Sequence, residues 1–374
     1  MKIHVVGGGP AGLYFSILMK AQDSRHDIRV FERNRPDATF GWGVVFSRRT
    51  LQILEDADPI SAERASAASA HWGDVVIVRP GEEHRIGGNQ FVGVERLRLL
   101  NVLQERAREL GVELCFEHDV EDLDRVRDCD LLVGADGVNS RVRDRFASTF
   151  EPKVEPRHNS YIWLGTEQTF DGLTLSFRPS AHGLFMAHSY RYCPDTSTFI
   201  VECSQQTFAN TGLAEDDEAG TAALLEEVFA EDLGGHPLLS NHSRWIQFLL
   251  VHTRRWHHEN VVLVGDACHT VHFSIGSGTK QAMEDVIALA AACQDEPEVS
   301  NALSAYEARR KPVVDELQRA AEASLHWFET ADSRMHLAPM DFAMQCMTRS
   351  EKLDLDRLRR RDPAFVQRWE RAQG

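Results

Sequence analysis

The chain has 374 residues, of which 43% are hydrophobic and 26% are charged, as in ordinary globular proteins. Its 41 basic and 57 acidic side chains give a net charge of −16, which argues against non-specific binding to nucleic acid or to an anionic membrane. This length is sufficient for one large domain or for two closely joined ones. We therefore expect a globular protein that binds any polyanionic ligand at a local basic site.

Other features of the sequence bear on location and metal binding. The first residues form a predicted core strand without the regions of a signal peptide, and no run of about 18 apolar residues is present. The seven cysteines are scattered and include no Cys-x-x-Cys pair, which is typical of reduced thiols and offers no zinc site. We expect a soluble cytoplasmic protein that binds no membrane, no nucleic acid and no metal, and the sequence is compatible with a homo-oligomer.

The first 32 residues carry the pattern around which we expect the chain to be organised. A short β-branched run at 3–6 leads into Gly7-x-Gly9-x-x-Gly12, a stretch with helical spacing follows, and a second strand ends on Glu32. The glycines allow a tight turn and a close approach to a pyrophosphate, whose charge the helix N-terminus stabilises. Glu32 lies 20 residues beyond Gly12, and an acid at this spacing can accept hydrogen bonds from a ribose diol. The pattern predicts dinucleotide binding, without choosing between FAD and NAD.

Later stretches offer further contacts for a dinucleotide. Trp42 lies between two glycines, which permits either a backbone flat against a planar ligand or a glycine-punctuated strand. Arg96 opens a predicted helix, where a cation opposes the helix dipole, so we expect Arg96 to face a cofactor, with a surface arginine as the alternative. The apolar strand near 131–134 ends in an Asp136-Gly137 turn, at the edge where parallel sheets bind ligands.

The pattern changes between about residues 156 and 250, where short strands alternate with turn residues and a helical stretch follows. This pattern indicates an antiparallel sheet and a candidate substrate domain. Alternation along one strand places His188 and Tyr190 on the same face. A buried His188 with satisfied hydrogen bonds and a His188 that contacts a ligand both fit this position.

A glycine-rich loop follows the buried strand at 261–264. It begins with Gly265-Asp266 and passes through His272 to Gly276 and Gly278, where a long helix is predicted. The cysteine and histidines of this loop suggest a metal, but no second cluster of ligands accompanies them. A glycine-rich helix start instead suits negative charge on a ligand.

These three motifs, in this order and over nearly the whole chain, resemble the single-component FAD-dependent aromatic hydroxylases of the para-hydroxybenzoate hydroxylase type. The resemblance implies an α/β fold with a Rossmann-like FAD-binding domain, an inserted antiparallel-sheet substrate domain and a helical C-terminus. We expect the FAD-binding domain at 1–155, with a small insertion near 50–92, and again at 251–325. The substrate-binding sheet then occupies 156–250, and 326–374 form a C-terminal helical segment.

The same resemblance implies roles for individual residues. Glu32 binds the adenosine ribose, Arg96 reaches the FAD phosphates, and Asp266 binds the ribityl chain or the neighbouring ribose. Gly276 and Gly278 place a helix N-terminus at the flavin pyrimidine ring, whose reduced form is anionic. The cofactor-binding residues that we expect are Gly7, Gly9, Pro10, Ala11, Gly12, Glu32, Arg33, Trp42, Arg96, Val120, Asp136, Gly265, Asp266, Gly276, Gly278 and Thr279. The sequence departs from the family at Phe273, where proline is usual, and at Lys280, where asparagine is usual.

Four stretches resemble a narrower group within this family, the hydroxylases of salicylyl-CoA. They are 40–47, 161–166, 197–203 and 272–279. The likeness implies conversion of salicylyl-CoA to 5-hydroxysalicylyl (gentisyl)-CoA with NAD(P)H and O₂, through a flavin hydroperoxide. Alternative substrates are 2-aminobenzoyl-CoA and a free aromatic or indole compound such as tryptophan, and the choice between NADH and NADPH stays open. A flavin-binding sensor is the alternative from another class of protein.

Few acid–base residues are required if the flavin carries the oxygen chemistry. His188 and His272 are candidates for a catalytic base that accepts a phenol proton. The candidates for substrate contacts are Trp163, Tyr190, Phe273 and Ser274. CoA adds negative charges that arginines must bind, unless these arginines only form a solvated helical face. The candidates are Arg309 and Arg310, or Arg357, Arg359, Arg360 and Arg361.

Overall fold

The computed structural model describes residues 1–39, 41–67, 69–350 and 352–373. The strands in these ranges are β1 (Lys2–Val6), β2 (Asp27–Phe31), β3 (Gly43–Ser47), β4 (Ala70–Trp72), β5 (Val75–Arg79), β6 (Glu82–Ile86), β7 (Phe91–Glu95), β8 (Glu113–Cys115), β9 (Leu131–Gly134), β10 (Pro152–Thr166), β11 (Leu173–Ser180), β12 (Gly183–Arg191), β13 (Ser197–Ser204), β14 (Leu238–Leu239), β15 (Ile246–Thr253), β16 (His257–His258) and β17 (Val261–Leu263).

The α-helices in the same ranges are α1 (Pro10–Gln22), α2 (Arg48–Ala57), α3 (Pro59–Ser66), α4 (Arg96–Glu109), α5 (Arg141–Arg145), α6 (Ala147–Phe150), α7 (Gln205–Thr211), α8 (Glu218–Val228), α9 (Ala230–Leu233), α10 (Gly278–Asp295), α11 (Val299–Glu329), α12 (Pro339–Thr348), α13 (Leu355–Arg361) and α14 (Pro363–Gln373). In the part of the chain that the structure describes, no helix is long and apolar enough to cross a membrane.

The first sheet has the strand order β16-β17-β9-β1-β2-β8 and is parallel except for the short antiparallel strand β16. Helix α1 packs against both α4 and α10, and β1, β9 and β17 are almost completely buried. Burial on both faces explains why these strands appear in the sequence as nearly continuous apolar runs. The Rossmann-like α/β sheet that the first motif predicts is confirmed.

Two glycines of the first motif are required by packing within the protein. Gly7 has a φ of +110°, and a Cβ there would collide with the backbone of Ala135 after β9. A Cβ at Gly12 would collide with the carbonyl group of Gly7. These close approaches bring β1, α1 and the end of β9 together at one edge of the sheet.

A second sheet has the order β14-β10-β13-β12-β11-β5-β6, with β15 also paired to β10. It is antiparallel, as the sequence predicts, apart from the parallel pair of β5 and β11. Strands β5 and β6 precede the predicted start of this sheet by about 70 residues, and they add a hairpin to its edge. The domain boundaries given above stay a prediction, but this pairing joins part of the early insertion to the second sheet. Strands β3, β7 and β4 form a separate small sheet.

The two faces of the second sheet are covered by different helices. Phe185 and Phe199 point to one side, where Phe229 and other apolar residues of α8 and α9 pack against them. Phe177 and Met186 point to the opposite side, where residues of α11 and of α12, α13 and α14 complete an apolar cluster. Alternation along each strand therefore divides the sheet into a face closed by α8 and α9 and a face closed in part by the C-terminal helices.

A buried carboxylate joins α10, α11 and the loop after β17. Asp285 on α10 accepts a hydrogen bond from the backbone N–H of Gly265 (3.0 Å) and pairs with His269 (2.7 Å) and Arg310 (2.9 Å). Burial alone would raise the pKa of Asp285, but the charge and hydrogen bonds of His269 and Arg310 lower it. Arg310, one of the arginine candidates for CoA, fits neither that role nor a solvated face, because its guanidinium is buried and also binds Gln281.

We predict that Asp285→Asn lowers the free energy of unfolding by about 3 kcal/mol, because it removes the closest charge partner of the buried Arg310 cation and leaves Glu284 at 3.5 Å as its remaining carboxylate. Asp295→Asn is the matched control, since it removes the partner of the exposed neighbour Arg309 and should cost less than about 1 kcal/mol. Urea denaturation of both variants measures the difference. Equal decreases in the free energy of unfolding would show that the buried ion pair stabilises the protein no more than the exposed one.

Candidate active site

The crevice at the end of β1 has free space and free donors where the first motif predicts a pyrophosphate. A Cβ at Gly9 would meet no atom within 4 Å, so no neighbouring atom of the described chain accounts for this glycine. Gly9 is also the N-cap of α1, where no side chain caps the N–H groups in the described structure. Pro10 occupies the first turn and Ala11 is buried beneath it. The open space and the uncapped donors both suit an anionic ligand.

Glu32 stands at the end of β2, beside the same crevice. Its Oε2 accepts a hydrogen bond from the N–H of Gly8 (2.7 Å), and its Oε1 accepts two from Asn34 (2.8 and 2.7 Å). The carboxylate is thus held rigidly while part of it remains exposed to the crevice. The neighbouring Arg33 is exposed, and Val120 is buried in the core of the first sheet.

Arg96 is the first residue of α4, and its N–H donates a hydrogen bond to the carbonyl of Trp42 (2.9 Å). Its Nε atom is enclosed and has no hydrogen-bond partner among the described residues. Burial lowers the pKa of Arg96, and the nearby charge of Asp266 opposes this shift only in part. Arg96 is half-buried, and a cation partly withdrawn from water without a close carboxylate is stabilised when it meets an anion. The position therefore fits a phosphate ligand.

The two aspartates that follow parallel strands differ in what they can offer a ligand. Both oxygens of Asp136 are occupied, because Ser140 donates to one (2.5 Å) and the N–H groups of Arg141 and Val142 donate to the other (2.7 and 3.2 Å). Asp136 therefore caps α5. Asp266 is exposed, yet desolvation by the protein atoms around it raises its pKa.

Helix α10 begins at Gly278, directly after the glycine-rich loop. Gly276 adopts a left-handed conformation (φ +60°), and neither Gly276 nor Gly278 has a neighbour within 4 Å of its ideal Cβ. The N-cap Ser277 makes no side-chain capping bond, and Thr279 lies in the first turn. Lys280 turns toward Glu284 on the same helix, 3.6 Å away. The N-terminus of α10 thus presents free N–H groups to open space.

The Trp42 segment packs against the second sheet. A Cβ at Gly41 would lie 2.9 Å from the ring of Trp163, and one at Gly165 would lie 2.7 Å from the ring of Trp42. The glycines around Trp42 therefore make room for aromatic rings of the protein itself. Phe40, the first residue of this stretch, lies outside the described residues.

One face of the second sheet carries most of the predicted substrate contacts. Cross-strand register places Trp163 opposite Ile200, and Ile200 opposite His188. Nε2 of His188 lies 2.8 Å from Oε1 of Glu202, and both residues are buried. Glu202 was not among the sequence candidates, although the alternation of β13 puts it on the same face as Ile200. The two-residue alternation of β13 could have placed Glu202 on this face. The sequence does not give the register between β12 and β13 that brings Glu202 next to His188.

Aromatic rings from several elements meet in front of this face. Phe273 lies 4.8 Å from Tyr161, 5.4 Å from His188 and 4.1 Å from His272, measured between ring centroids. Phe328 of α11 lies 4.7 Å from His188. The structure therefore brings Phe273 together with both candidate bases.

Tyr190 and Ser274 lie at opposite borders of this region. Tyr190 donates a hydrogen bond to the carbonyl of Gly43 (2.8 Å) and stacks on Trp72 (6.0 Å between centroids). The hydroxyl of Ser274 lies 2.9 Å from that of Ser324, and its carbonyl accepts a hydrogen bond from Arg349 (2.9 Å). Both polar groups are thus engaged within the protein, which limits their contacts with a substrate.

The remaining arginine candidates lie on helix surfaces, mostly beside carboxylates. Arg309 pairs with Asp295 (2.9 Å), Arg357 with Asp354 (3.6 Å), and Arg359 with Asp356 and Glu370 (3.1 and 2.8 Å). Arg361 donates to the side chain of Asn89 (2.8 Å), and Arg360 is exposed. These pairs favour the interpretation of a solvated helical face.

Comparison with known proteins identifies the family. Residues 1–321 match the family model described as FAD binding domain. The chain belongs to this FAD-binding family. Among its relatives, it is 43% identical to a salicyloyl-CoA 5-hydroxylase from a Streptomyces species, over 98% of this chain and 73% of that protein.

A second relative is the 3-hydroxy-4-methyl-anthranilyl-[aryl-carrier protein] 5-monooxygenase of Streptosporangium sibiricum. The flavoprotein is 37% identical to it, over 91% of this chain and 92% of the relative. The crystal structure of a mutant of 2-methyl-3-hydroxypyridine-5-carboxylic acid oxygenase superposes with a TM-score of 0.74 at 19% identity, covering 96% of this chain and 98% of the other. The last likeness concerns the fold alone.

The crevice fits the FAD that the family binds. The open space at Gly9, the unpartnered Nε of Arg96 among the described residues and the uncapped N-termini of α1 and α10 are each explained by a dinucleotide flavin. The chain is accordingly a FAD-dependent monooxygenase. We propose that Glu32, Arg96 and Asp266 contact the cofactor directly, whereas Asp136 acts by ordering the turn beside it.

Gly9 and Gly12 are predicted to respond differently to the same substitution. Gly9→Ala adds a methyl group to open space and should leave unfolding unchanged, while raising the Kd for FAD about tenfold or more. Gly12→Ala forces a backbone collision and should lower the free energy of unfolding by about 1–3 kcal/mol. Urea denaturation of the FAD-free proteins and flavin titration separate the two effects. A stability loss in Gly9→Ala would contradict this assignment.

Arg96→Gln should raise the Kd for FAD about 10- to 100-fold, because it removes charge-assisted contacts with the phosphates. The FAD-free variant should be as stable as the unmodified protein, since the half-buried cation that it removes has no close carboxylate among the described residues. Arg98→Gln is the matched control, because Arg98 faces α3 and donates to the carbonyl of Arg64 (3.3 Å). Quenching of flavin fluorescence measures both affinities, and equal effects would exclude a special role for Arg96.

Proposed function

We propose that this monooxygenase hydroxylates the ring of an aromatic acyl-CoA, and that salicylyl-CoA, converted to 5-hydroxysalicylyl-CoA, is its substrate. The observation that carries the proposal is the 43% identity with a salicyloyl-CoA 5-hydroxylase over 98% of the chain. A second relative is named for a related thioester, an aryl group on a carrier protein. The two names share an aromatic ring joined to a thioester, which supports this substrate class.

The bound FAD supplies the oxidation chemistry, taking electrons from NAD(P)H and using them to activate O₂. The donors of α1, Glu32 and the guanidinium of Arg96 would hold this group. The N-terminus of α10 would stabilise negative charge on it.

The aromatic cluster around Phe273 gives the substrate ring an apolar surface. Phe273 contacts Tyr161 and His188, while Phe328 covers His188 from the side of α11. A ring enclosed in this way is held in one orientation and kept away from water, which protects the activated oxygen from unproductive release. Trp163 lies on the same face, one strand beyond Ile200, and completes the border.

A hydroxylase of a free aromatic or indole compound is the second candidate. The same rings would enclose an indole, and several surface arginines are already paired with carboxylates, so CoA phosphates have few free cations on those helices. 2-Aminobenzoyl-CoA is a third candidate, differing from salicylyl-CoA by an amino group in place of the hydroxyl. Activity assays with each of these compounds distinguish the three candidate substrates.

We predict that salicylyl-CoA stimulates NAD(P)H oxidation by the FAD-loaded enzyme and yields a thioester that has gained an oxygen atom from O₂. Assays with 2-aminobenzoyl-CoA, free salicylate and tryptophan run in parallel, and product analysis by mass spectrometry follows each. Free CoA is the control for effects of the nucleotide part alone. Stimulation by a free acid or by tryptophan, without stimulation by the thioesters, would overturn the acyl-CoA proposal.

A further inference from the structure

The substrate-facing sheet contains a buried acid–base pair. Nε2 of His188 lies 2.8 Å from Oε1 of Glu202, and Asn159 donates to Oε2 of Glu202 at 3.4 Å. Glu202 is completely buried. Burial alone would raise the pKa of Glu202, but the hydrogen bond and charge of His188 lower it below its ordinary value. A buried carboxylate held ionised in this way accepts hydrogen bonds and donates none.

This contact determines which nitrogen of His188 carries the proton. Because Glu202 only accepts, Nε2 bears the hydrogen of the neutral imidazole, and Nδ1 then keeps its lone pair. Nδ1 makes no hydrogen bond within the described part of the chain. It is also absent from the polar atoms that are enclosed without a partner, so it borders open space. The rings of Phe273 and Phe328 flank the imidazole, at 5.4 and 4.7 Å between centroids.

We propose that Nδ1 of His188 accepts the proton of the substrate's ring hydroxyl, with Glu202 and Asn159 as positioning residues. The inference rests on the proposed function. The hydroxyl O–H bond breaks, an N–H bond forms on Nδ1, and the electron pair stays on the phenolate oxygen. The resulting imidazolium remains bonded to the Glu202 carboxylate, and the proton returns to the oxygen when the product leaves. Phenolate oxygen donates electrons to the ring carbon opposite it, which is the position to be hydroxylated.

His272 is a poorer base in this structure, although it lies on the same side of Phe273. Its Nδ1 accepts a hydrogen bond from the N–H of Ser274 (3.3 Å), which stabilises the turn. Burial lowers the pKa of His272 to about 3. An imidazole with such a low pKa is too weak a base to remove the proton of a phenol.

The other charged or titratable groups around this region include two cations, a tyrosine and a histidine. Arg157 and Arg349 add positive charge near His272, and burial raises the pKa of Tyr161 to about 12. His272 is neutral between pH 6 and pH 9 because of its lowered pKa. A change of pH profile on substitution of His188 or Glu202 is therefore not expected to come from Tyr161 or His272.

The proposed step also selects among ring substituents. A phenol is acidic enough to transfer its proton to an imidazole, whereas the amino group of 2-aminobenzoyl-CoA is not. The pair therefore favours an aromatic thioester with an ionisable hydroxyl. An amino-substituted substrate gains nothing from His188 beyond a hydrogen bond.

The test compares His188→Gln and Glu202→Gln with the unmodified holoenzyme. We expect kcat with salicylyl-CoA at pH 7 to fall about 100-fold in His188→Gln and about tenfold in Glu202→Gln, with partial recovery as the pH is raised. Difference absorbance of salicylyl-CoA bound to the oxidised holoenzyme, without NAD(P)H, measures ionisation of the ring hydroxyl directly. The bound hydroxyl should ionise at a pH higher by about one unit or more in His188→Gln.

Glu307→Gln is the matched control, because Glu307 pairs with His257 at the same distance of 2.8 Å, between α11 and β16 and outside the proposed site. This variant should keep the unmodified pH profile and spectrum. Asn159→Ala replaces Glu202→Gln if the latter does not fold, and should shift the ionisation in the same direction.

The two levels of the proposal fail in different ways. If salicylyl-CoA does not stimulate the unmodified enzyme, the proposed function is wrong. If it does, but His188→Gln and Glu202→Gln keep the pH profile and the spectrum of the bound ring, the role of the pair is overturned.

Discussion

The buried carboxylate of Asp285 holds together the segments that form one wall of the cofactor crevice. It binds the backbone of Gly265, the ring of His269 and the guanidinium of Arg310 at distances between 2.7 and 3.0 Å. Asp285 itself lies on α10, whereas Gly265 and His269 belong to the loop after β17 and Arg310 to α11. A charge in a low-dielectric interior is stable only while all its partners are in place, so the loop and the two helices keep one arrangement. This arrangement fixes the position of the N-terminus of α10 beside the cofactor crevice.

Close approaches of the backbone supply the opposite wall. Gly7 and Gly12 bring β1, α1 and the end of β9 into direct contact, whereas a Cβ at Gly9 would meet no atom of the described chain. A motif of three glycines therefore contains two that the protein needs for packing and one that only a ligand explains. The same distinction separates the glycines around Trp42, which accommodate aromatic rings of the protein, from Gly276 and Gly278, which border open space.

Local patterns predicted the first sheet, because a strand, a glycine turn and a helix follow one another within about 30 residues. Such local patterns did not predict the contacts of Asp285 and of Glu202. Both depend on which strands and helices become neighbours, and the pairing of Glu202 with His188 further depends on the register between β12 and β13. Arg310 illustrates the same difficulty, since an arginine-rich stretch looks like solvated surface until the helix packs its polar face against Asp285.

The order of segments in the second sheet has a consequence for synthesis on the ribosome. The face with Phe177 and Met186 is complete in the chain once β12 has been made, but the helices that cover it, including α12 to α14, follow about 150 residues later. At roughly 5–20 residues per second, that apolar face lacks its cover for on the order of ten seconds. During this interval the nascent chain exposes a sheet surface that other chains can bind, so the C-terminal helices protect the chain from aggregation as well as closing the fold.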